Sequence, residues 1–238
     1  MGHPLSLLSF GPDGWGDELL RGAFITISLA LATLPLGLSL GLLVALAQRS
    51  GHPVLTRLAS VYTTIFRGLP ELLTLYLVYF GAQFGLQWLW KTLGFSGGVD
   101  VSPFIAGMFA LGLVLAAFSS EVWVGALNAI PKGQREGAHA LGLDKAKTFR
   151  LVVFPQLLRV ALPGLGNNWM VLLKETSLVS TIALHDLMFM ANRANITTKE
   201  PFVFFGAACL IYLVFSLISM AGLGALEKRS NRGFEGRA

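Results

Sequence analysis

Charge is scarce in this sequence. Only 13% of its 238 residues are Asp, Glu, Lys or Arg, while 54% are hydrophobic. A soluble domain of this length would carry about twice that charged fraction. The scarcity excludes an ordinary water-soluble globule and places the chain among membrane proteins. Cysteine is nearly absent: Cys209 stands alone in the last apolar run. That excludes a disulfide framework and a thiolate metal cluster, and reads as a small buried hydrophobe. A Gly-x4-Gly-Lys-Ser/Thr phosphate loop is missing, so any nucleotide-driven energy must come from another chain. Ser-His-Asp and His-Glu-x-x-His arrangements are missing too, and His185 and Asp186 form no metal spacing with His3, His52 or His139. Catalysis, a cofactor and a metal are therefore not expected here. No basic patch interleaves with aromatics, so the net charge of +5 does not point to nucleic acid. Low-complexity segments and a long internal repeat are also lacking. The first long apolar run is preceded by Asp13, Asp17, Glu18 and Arg21 rather than by a basic flank, so it is expected to stay in the mature chain.

Long apolar runs are what the sequence has in abundance. A hydrocarbon core about 30 Å thick needs roughly 20 apolar residues per helix. Runs over residues 21–47, 58–86, 103–129, 155–179 and 202–226 meet that length. They predict an all-α, polytopic membrane protein with about five transmembrane helices. The first run holds Gly37-Leu38-Ser39-Leu40-Gly41, a small-xxx-small pattern that permits close helix contact, and Pro35, which predicts a kink. The second is longer than one span needs and is interrupted by Phe66-Arg67-Gly68-Leu69-Pro70. Either a helix breaks there, or an amphipathic lead-in precedes a span over 71–90. Trp88 and Trp90 suit an interfacial aromatic belt. Residues 48–56, 91–102 and 192–201 read as loops, and 182–190 as a short separate segment. The domain reading is an extracytoplasmic lead-in over 1–20, with turn chemistry at Pro12-Asp13-Gly14, a membrane domain over 21–226 and a basic cytoplasmic tail over 227–238.

Five spans put the termini on opposite sides, and the cations indicate which is which. One side would hold Arg49, Arg57, Lys132, Arg135, Lys145, Lys147, Arg150, Arg159, Lys228, Arg229, Arg232 and Arg237. The other would hold Arg21, Lys91, Arg193 and Lys199. The richer side is assigned to the cytoplasm. The N-terminus then faces out, and the tail and the segment 131–155 face in.

That segment is a polar, basic, glycine-punctuated island between the third and fourth spans. Ala138, Ala140 and Leu141 can give a short helix a small apolar face. Gly142 can end it in a left-handed cap. Asp144 can cap a second short helix leading to Pro155. Such a knob can seat in a groove of a cytoplasmic partner and transmit that partner's motion. Glu136-Gly137-Ala138, Gly142 after three further residues and Val152-Val153-Phe154-Pro155 after nine more resemble the EAA loop of ABC-transporter permeases. Its members read Glu-Ala-Ala-x3-Gly-x9-Ile-x-Leu-Pro. The departures are Gly137, Val152 and Phe154. The resemblance implies that Glu136, Gly137, Ala138, Leu141, Gly142 and Pro155 form a loop that couples to an ATPase.

Other segments are similar to the polar amino-acid branch of that family, over roughly residues 20–230. They are Phe66-Arg67-Gly68-Leu69-Pro70, Ser120-Glu121-Val122-Trp123, Gly164-Leu165-Gly166-Asn167-Asn168-Trp169, Leu173-Lys174-Glu175-Thr176-Ser177-Leu178, Glu200-Pro201-Phe202 and Ile211-Tyr212-Leu213-Val214-Phe215. The nearest resemblance is to the histidine, lysine-arginine-ornithine and opine permeases. Val124 departs, since many relatives carry Arg there. The resemblance implies a permease subunit of a bacterial inner-membrane importer for polar, basic amino acids or opines. It implies a second, related permease, two ATPase subunits that bind the ATP and an extracytoplasmic binding protein.

Polar residues inside the spans are the candidates for a translocation path: Glu121, Asn167, Asn168 and Lys174. A carboxylate facing lipid costs several kcal/mol, about 3 on insertion scales, so Glu121 must face the bundle, a partner or a wet cavity. It is either a counter-charge for a cationic substrate or a structural partner of Arg67 or Lys174. A competing reading is an ion-coupled secondary transporter, for which Glu71, Glu121 and the break at Gly68-Leu69-Pro70 would supply a site.

Overall fold

The computed structural model describes residues 4–12 and 14–231. His3, Asp13 with its expected turn, and residues 232–238, with Arg232 and Arg237 of the charge count, lie outside the described residues. Among the described residues the fold is all-helical. A 3-10 turn, Pro4–Leu8, leads into α1 (Gly16–Gln48), α2 (Pro53–Gly68), α3 (Glu71–Thr92) and α4 (Pro103–Ala129). Two short helices follow, α5 (Lys132–Ala140) and α6 (Lys145–Thr148), and a π-helical turn, Phe149–Val153, joins them to α7 (Phe154–Glu175). A 3-10 segment, Thr176–Ile182, extends α7, and α8 (Leu187–Thr198) and α9 (Pro201–Asn231) complete the fold. Among the described residues, five rods are long and apolar enough to cross a membrane: α1, α3, α4, Lys145–Ile182 and Pro201–Ser230.

The hinge in the second apolar run is now explicit. α2 is amphipathic and buries only Ala59 and Thr63. It is the lead-in, and α3 is the span. Leu69 and Pro70 between them are extended, with ψ of 143° and 135°. Proline lacks the N–H for a helical bond and disfavours helical backbone in the preceding residue. The break ends directly before Glu71, the first residue of α3.

α4 is the centre of the bundle: 61% of its apolar window is buried, against 11% for α3 and α9. The small-xxx-small stripe of α1 lies against it. A Cβ on Gly41 would overlap Ser119 Oγ and come within 2.8 Å of the Ala116 carbonyl, so only glycine admits this approach. The contact is tied by hydrogen bonds that cross between helices. Ser119 Oγ donates to the Gly37 carbonyl at 3.2 Å, and Trp123 Nε1 donates to the Leu38 carbonyl at 3.1 Å. From α2, the Tyr62 hydroxyl donates to the Leu113 carbonyl at 2.6 Å. α1 runs unbroken through Pro35.

Three expectations need correction. α1 begins at Gly16, ahead of residue 21. Residues 192–198, read as loop for their Asn, Arg and Thr content, belong to α8. Leu187, Met190, Ala191 and Ala194 recur at helical spacing and bury against Leu19, Ala23 and Phe204. Tertiary packing overrides their weak neighbours' propensity. Cys209 is exposed on α9 of the isolated chain, so it faces outward rather than into the core.

Candidate functional site

A polar cleft of about 200 Å³ opens where α3, α4 and α7 meet, lined by Glu71, Leu115, Phe118, Asn167, Asn168, Val171, Leu172 and Glu175. α7 supplies it with Asn168, Val171, Leu172 and Glu175, an i, i+3, i+4, i+7 set that shares one helix face. α3 supplies Glu71 from its first turn, just past the break at Pro70. Acidic residues suit a helix N-terminus.

The side chains of Glu71 and Glu175 line the same cleft, and no Lys or Arg lines it. Two carboxylates so placed repel unless a proton or a cation lies between them. Beside them the Asn168 Nδ2 is buried without a hydrogen-bond partner. An unsatisfied buried donor costs about 1–3 kcal/mol, which a ligand or water in the cleft would recover.

Glu121 is placed at the rim. Its carboxylate is 3.1 Å from the Arg67 guanidinium, each side chain being about half exposed (46% and 45%). Arg67 also lies 5.9 Å from the centroid of Phe118, a cleft residue. Glu121 is thus already compensated by Arg67. Of the residues expected to line a path, Asn167 and Asn168 meet in the cleft and Glu121 flanks it. Lys174 points elsewhere, into a separate cavity with Ser177, Met188, Phe205, Cys209 and Tyr212. Sequence reasoning passed over Glu175 and gave Glu71 only to the ion-coupled alternative. The spacing of seven between Asn168 and Glu175 was the available signal.

The island 131–155 is a compact knob at the junction of α4 and α7. α5 ends in a glycine cap: Gly142 has φ of +79°, its N–H donates to the His139 carbonyl at 2.9 Å, and the Leu143 N–H donates to Ala138 at 3.1 Å. Asp144 caps α6, accepting from the Lys147 N–H at 2.8 Å. That bond, with the Lys147 ammonium 3.4 Å away, holds the Asp144 carboxyl below the usual carboxylate range. Gln156 Nε2 donates to Gln134 Oε1 at 3.2 Å and links α5 to α7. Ala138 is buried against the body, while Leu141, 84% exposed, stands out at the tip. Glu136, Gly137, Gly142 and Pro155 are exposed as well. The knob therefore presents an apolar tip beside a carboxylate on a base locked by hydrogen bonds. Among the described residues no group of three or more His, Cys, Asp or Glu could hold a metal ion.

The chain is similar to known proteins over nearly its whole length. The chain is 40% identical over 233 residues to the octopine transport system permease protein OccQ of Rhizobium meliloti, covering 98% of each chain. It is 40% identical over 220 residues to the histidine/lysine/arginine/ornithine transport system permease protein HisQ of Salmonella typhimurium, covering 92% of this chain and 96% of that one. It superposes on a crystal structure of an amino acid ABC transporter with histidines at a TM-score of 0.75 and 30% identity, over 90% of this chain and 95% of the other. These relatives are transport permeases rather than enzymes or ion-coupled carriers. Residues 37–232 match the family described as binding-protein-dependent transport system inner membrane component, and the chain belongs to that family as a multi-pass membrane permease.

Proposed function

We propose that this permease passes polar, basic amino acids or opines bearing a guanidinium or ammonium group across a bacterial inner membrane, through the cleft of α3, α4 and α7. The two carboxylates gathered in one cleft, Glu71 and Glu175, carry the reading. They form an acidic site without an internal cation, in a cleft that also offers the unpaired Asn168 amide. Glu121, held by Arg67, fixes the hinge beside the cleft and leaves the net negative charge to Glu71 and Glu175. The substrates named for the octopine and the histidine/lysine/arginine/ornithine permeases include the same cationic chemistry.

Energy enters through the knob. Glu136, Gly137, Ala138, Leu141, Gly142 and Pro155 form the surface and base on which a cytoplasmic ATPase seats, one ATPase for each of two permeases. The cation asymmetry favours an outside N-terminus and a cytoplasmic knob and tail. The π-helical turn Phe149–Val153 continues the knob into α7, so a push on Leu141 reaches Asn168 and Glu175 along one rod. Closure of the ATPases on ATP rocks the helices outward, and hydrolysis resets them. A related second permease completes the path, because α3 and α9 bury little within one chain. Their exposed Leu77, Phe84, Phe202 and Ile218 need lipid or a partner. An extracytoplasmic binding protein delivers substrate.

The test is concentration-dependent uptake of labelled arginine and octopine by the reconstituted complex carrying Glu71→Gln or Glu175→Gln. KM should rise at least about tenfold, the equivalent of one lost charge-assisted contact of 1.5–3 kcal/mol. Unaltered KM in both variants, for both compounds, would remove the cleft from the path.

A further inference from the structure

A further cavity lies beneath the knob, away from the cleft of α3, α4 and α7. It has a volume of about 340 Å³ and sits where the C-terminal ends of α1 and α4 meet the knob. Its wall is cationic: Arg49 from the end of α1, Arg135 and His139 from α5, and Lys145 from α6. Its floor is apolar, made of Leu46, Leu127, Phe149 and Val153. Leu127 and Val153 belong to the buried core, with Phe149 packed against them. Among the described residues, none of Arg49, Arg135 and Lys145 has an ion-pair partner: the ion pairs are Arg67 with Glu121 and Lys147 with Asp144. His139 spends its Nδ1 on the Leu143 carbonyl at 2.9 Å, which fixes the ring on the cavity wall. No carboxylate lines the cavity.

Three like charges gathered from three helices repel one another. A chain that is sparing with charge gains nothing structural from placing them together without a counter-ion. The missing partner must be anionic, and the apolar floor means that its anionic part is joined to hydrocarbon. We infer that this cavity is a binding site for the phosphate headgroup of an anionic phospholipid, its acyl chains running along the lower end of α1 and α4. Basic pockets between membrane helices at the cytoplasmic face recognise such headgroups, and guanidinium groups match phosphate in a bidentate fashion. The bound lipid would bridge the membrane helices at Arg49 and the knob at Arg135 and Lys145. It would thereby set the angle at which the knob is offered to its partner. This placement rests on the proposed cytoplasmic side of the knob.

The probe is phosphatidylglycerol retained by the complete transporter after delipidation in detergent. Complexes are exchanged into vesicles of phosphatidylcholine with 20% (about one lipid in five) phosphatidylglycerol, re-extracted and examined by native mass spectrometry. The wild-type complex should hold phosphatidylglycerol in preference to phosphatidylcholine. Arg49→Gln and Arg135→Gln should each lower that retention about fivefold, the effect of one basic residue near an anionic surface. Arg49→Lys and Arg135→Lys should largely restore it, and Lys91→Gln on the opposite side should leave it unchanged. Equal retention by the Gln variants and the wild type would overturn the inference. Displacement of the lipid by millimolar glycerol phosphate would show a soluble anion as the ligand, and displacement on adding the ATPase to ATPase-free permease would show an acidic protein side chain; either overturns it. Maleimide labelling of Gly133→Cys in a Cys209→Ala background tests the sidedness separately. Labelling from the cell exterior would sink the orientation itself, whereas protection with unaltered lipid retention would sink this inference alone.

Discussion

Arg67 and Glu121 join the end of an amphipathic helix to the central span. The guanidinium of Arg67, two residues before the extended Leu69-Pro70 break, lies 3.1 Å from the Glu121 carboxylate. The same guanidinium lies 5.9 Å from the Phe118 ring. The pair thus fixes where α3 begins, and with it the position of Glu71. Both side chains are nearly half exposed, so the pair adds little to stability, on the order of 1 kcal/mol or less. Its effect should be on transport. Arg67→Glu and Glu121→Arg alone should each depress uptake strongly, with the unfolding midpoint nearly unchanged. The double exchange should recover much of the rate. A double variant no better than the singles would separate this pair from the path.

Gly142 is the second test. Its φ of +79° is natural to glycine and costs other residues about 1 kcal/mol or more. Nothing lies within 4 Å of a Cβ built there, so strain and not collision is the consequence. Gly142→Ala should loosen the cap and lower coupled ATP hydrolysis several-fold. Gly142→Asn, which tolerates the left-handed region, should recover most of it. If Ala and Asn behave alike, the cap geometry is irrelevant to coupling.

The α1–α4 contact gives a stability prediction. A side chain at Gly41 meets Ser119 Oγ and the Ala116 carbonyl, both in the most buried helix. Backbone cannot move aside cheaply in so tight a contact, and overpacking costs typically 1–3 kcal/mol. Gly41→Val should reduce the yield of folded protein and lower its thermal midpoint in detergent. Gly206→Val, where nothing lies within 4 Å of the added Cβ, should not.

Asp186 supplies a pH dependence. It caps α8, accepting from the Phe189 N–H at 2.9 Å, but its Oδ2 is buried without a partner. Burial pushes this carboxyl up from 3.8 to about 7. The folded protein keeps it protonated in a range where the unfolded chain ionises it. Its contribution to stability is therefore fully present below pH 3.8, declines as pH rises to about 7, and is flat above. The shift corresponds to about 4 kcal/mol. Asp186→Asn keeps an oxygen for the cap and removes the titration, so it should raise the thermal midpoint at pH 8 more than at pH 5. Equal shifts at both pH values would contradict this account.

Much of this molecule was legible in the sequence, and the exceptions share a physical cause. Span number follows from length and apolarity, and Gly142 and Asp144 announced the knob by their backbone chemistry. Glu136 and Gly142 stood out because their local spacing is the signal. The meeting of Glu71 and Glu175 in one cleft did not, because it depends on how α3 and α7 are placed in the bundle, a long-range fact that no local pattern encodes. Lys174 lies apart for the related reason that adjacent residues on a helix face different ways: it and Glu175 line different cavities. α8 was hidden because its polar residues look like loop until Leu187, Met190, Ala191 and Ala194 are seen to pack on α1 and α9.

The most direct measurement is uptake of labelled arginine by proteoliposomes holding this permease, its partner permease, the ATPases and the binding protein, with and without lumenal or external ATP at the knob side. The account predicts uptake that requires ATP, persists when ionophores abolish ion gradients and is lost with Glu136→Lys while the membrane helices stay folded. Uptake by the permease without ATPases, driven by an ion gradient and indifferent to Glu136→Lys, would contradict it.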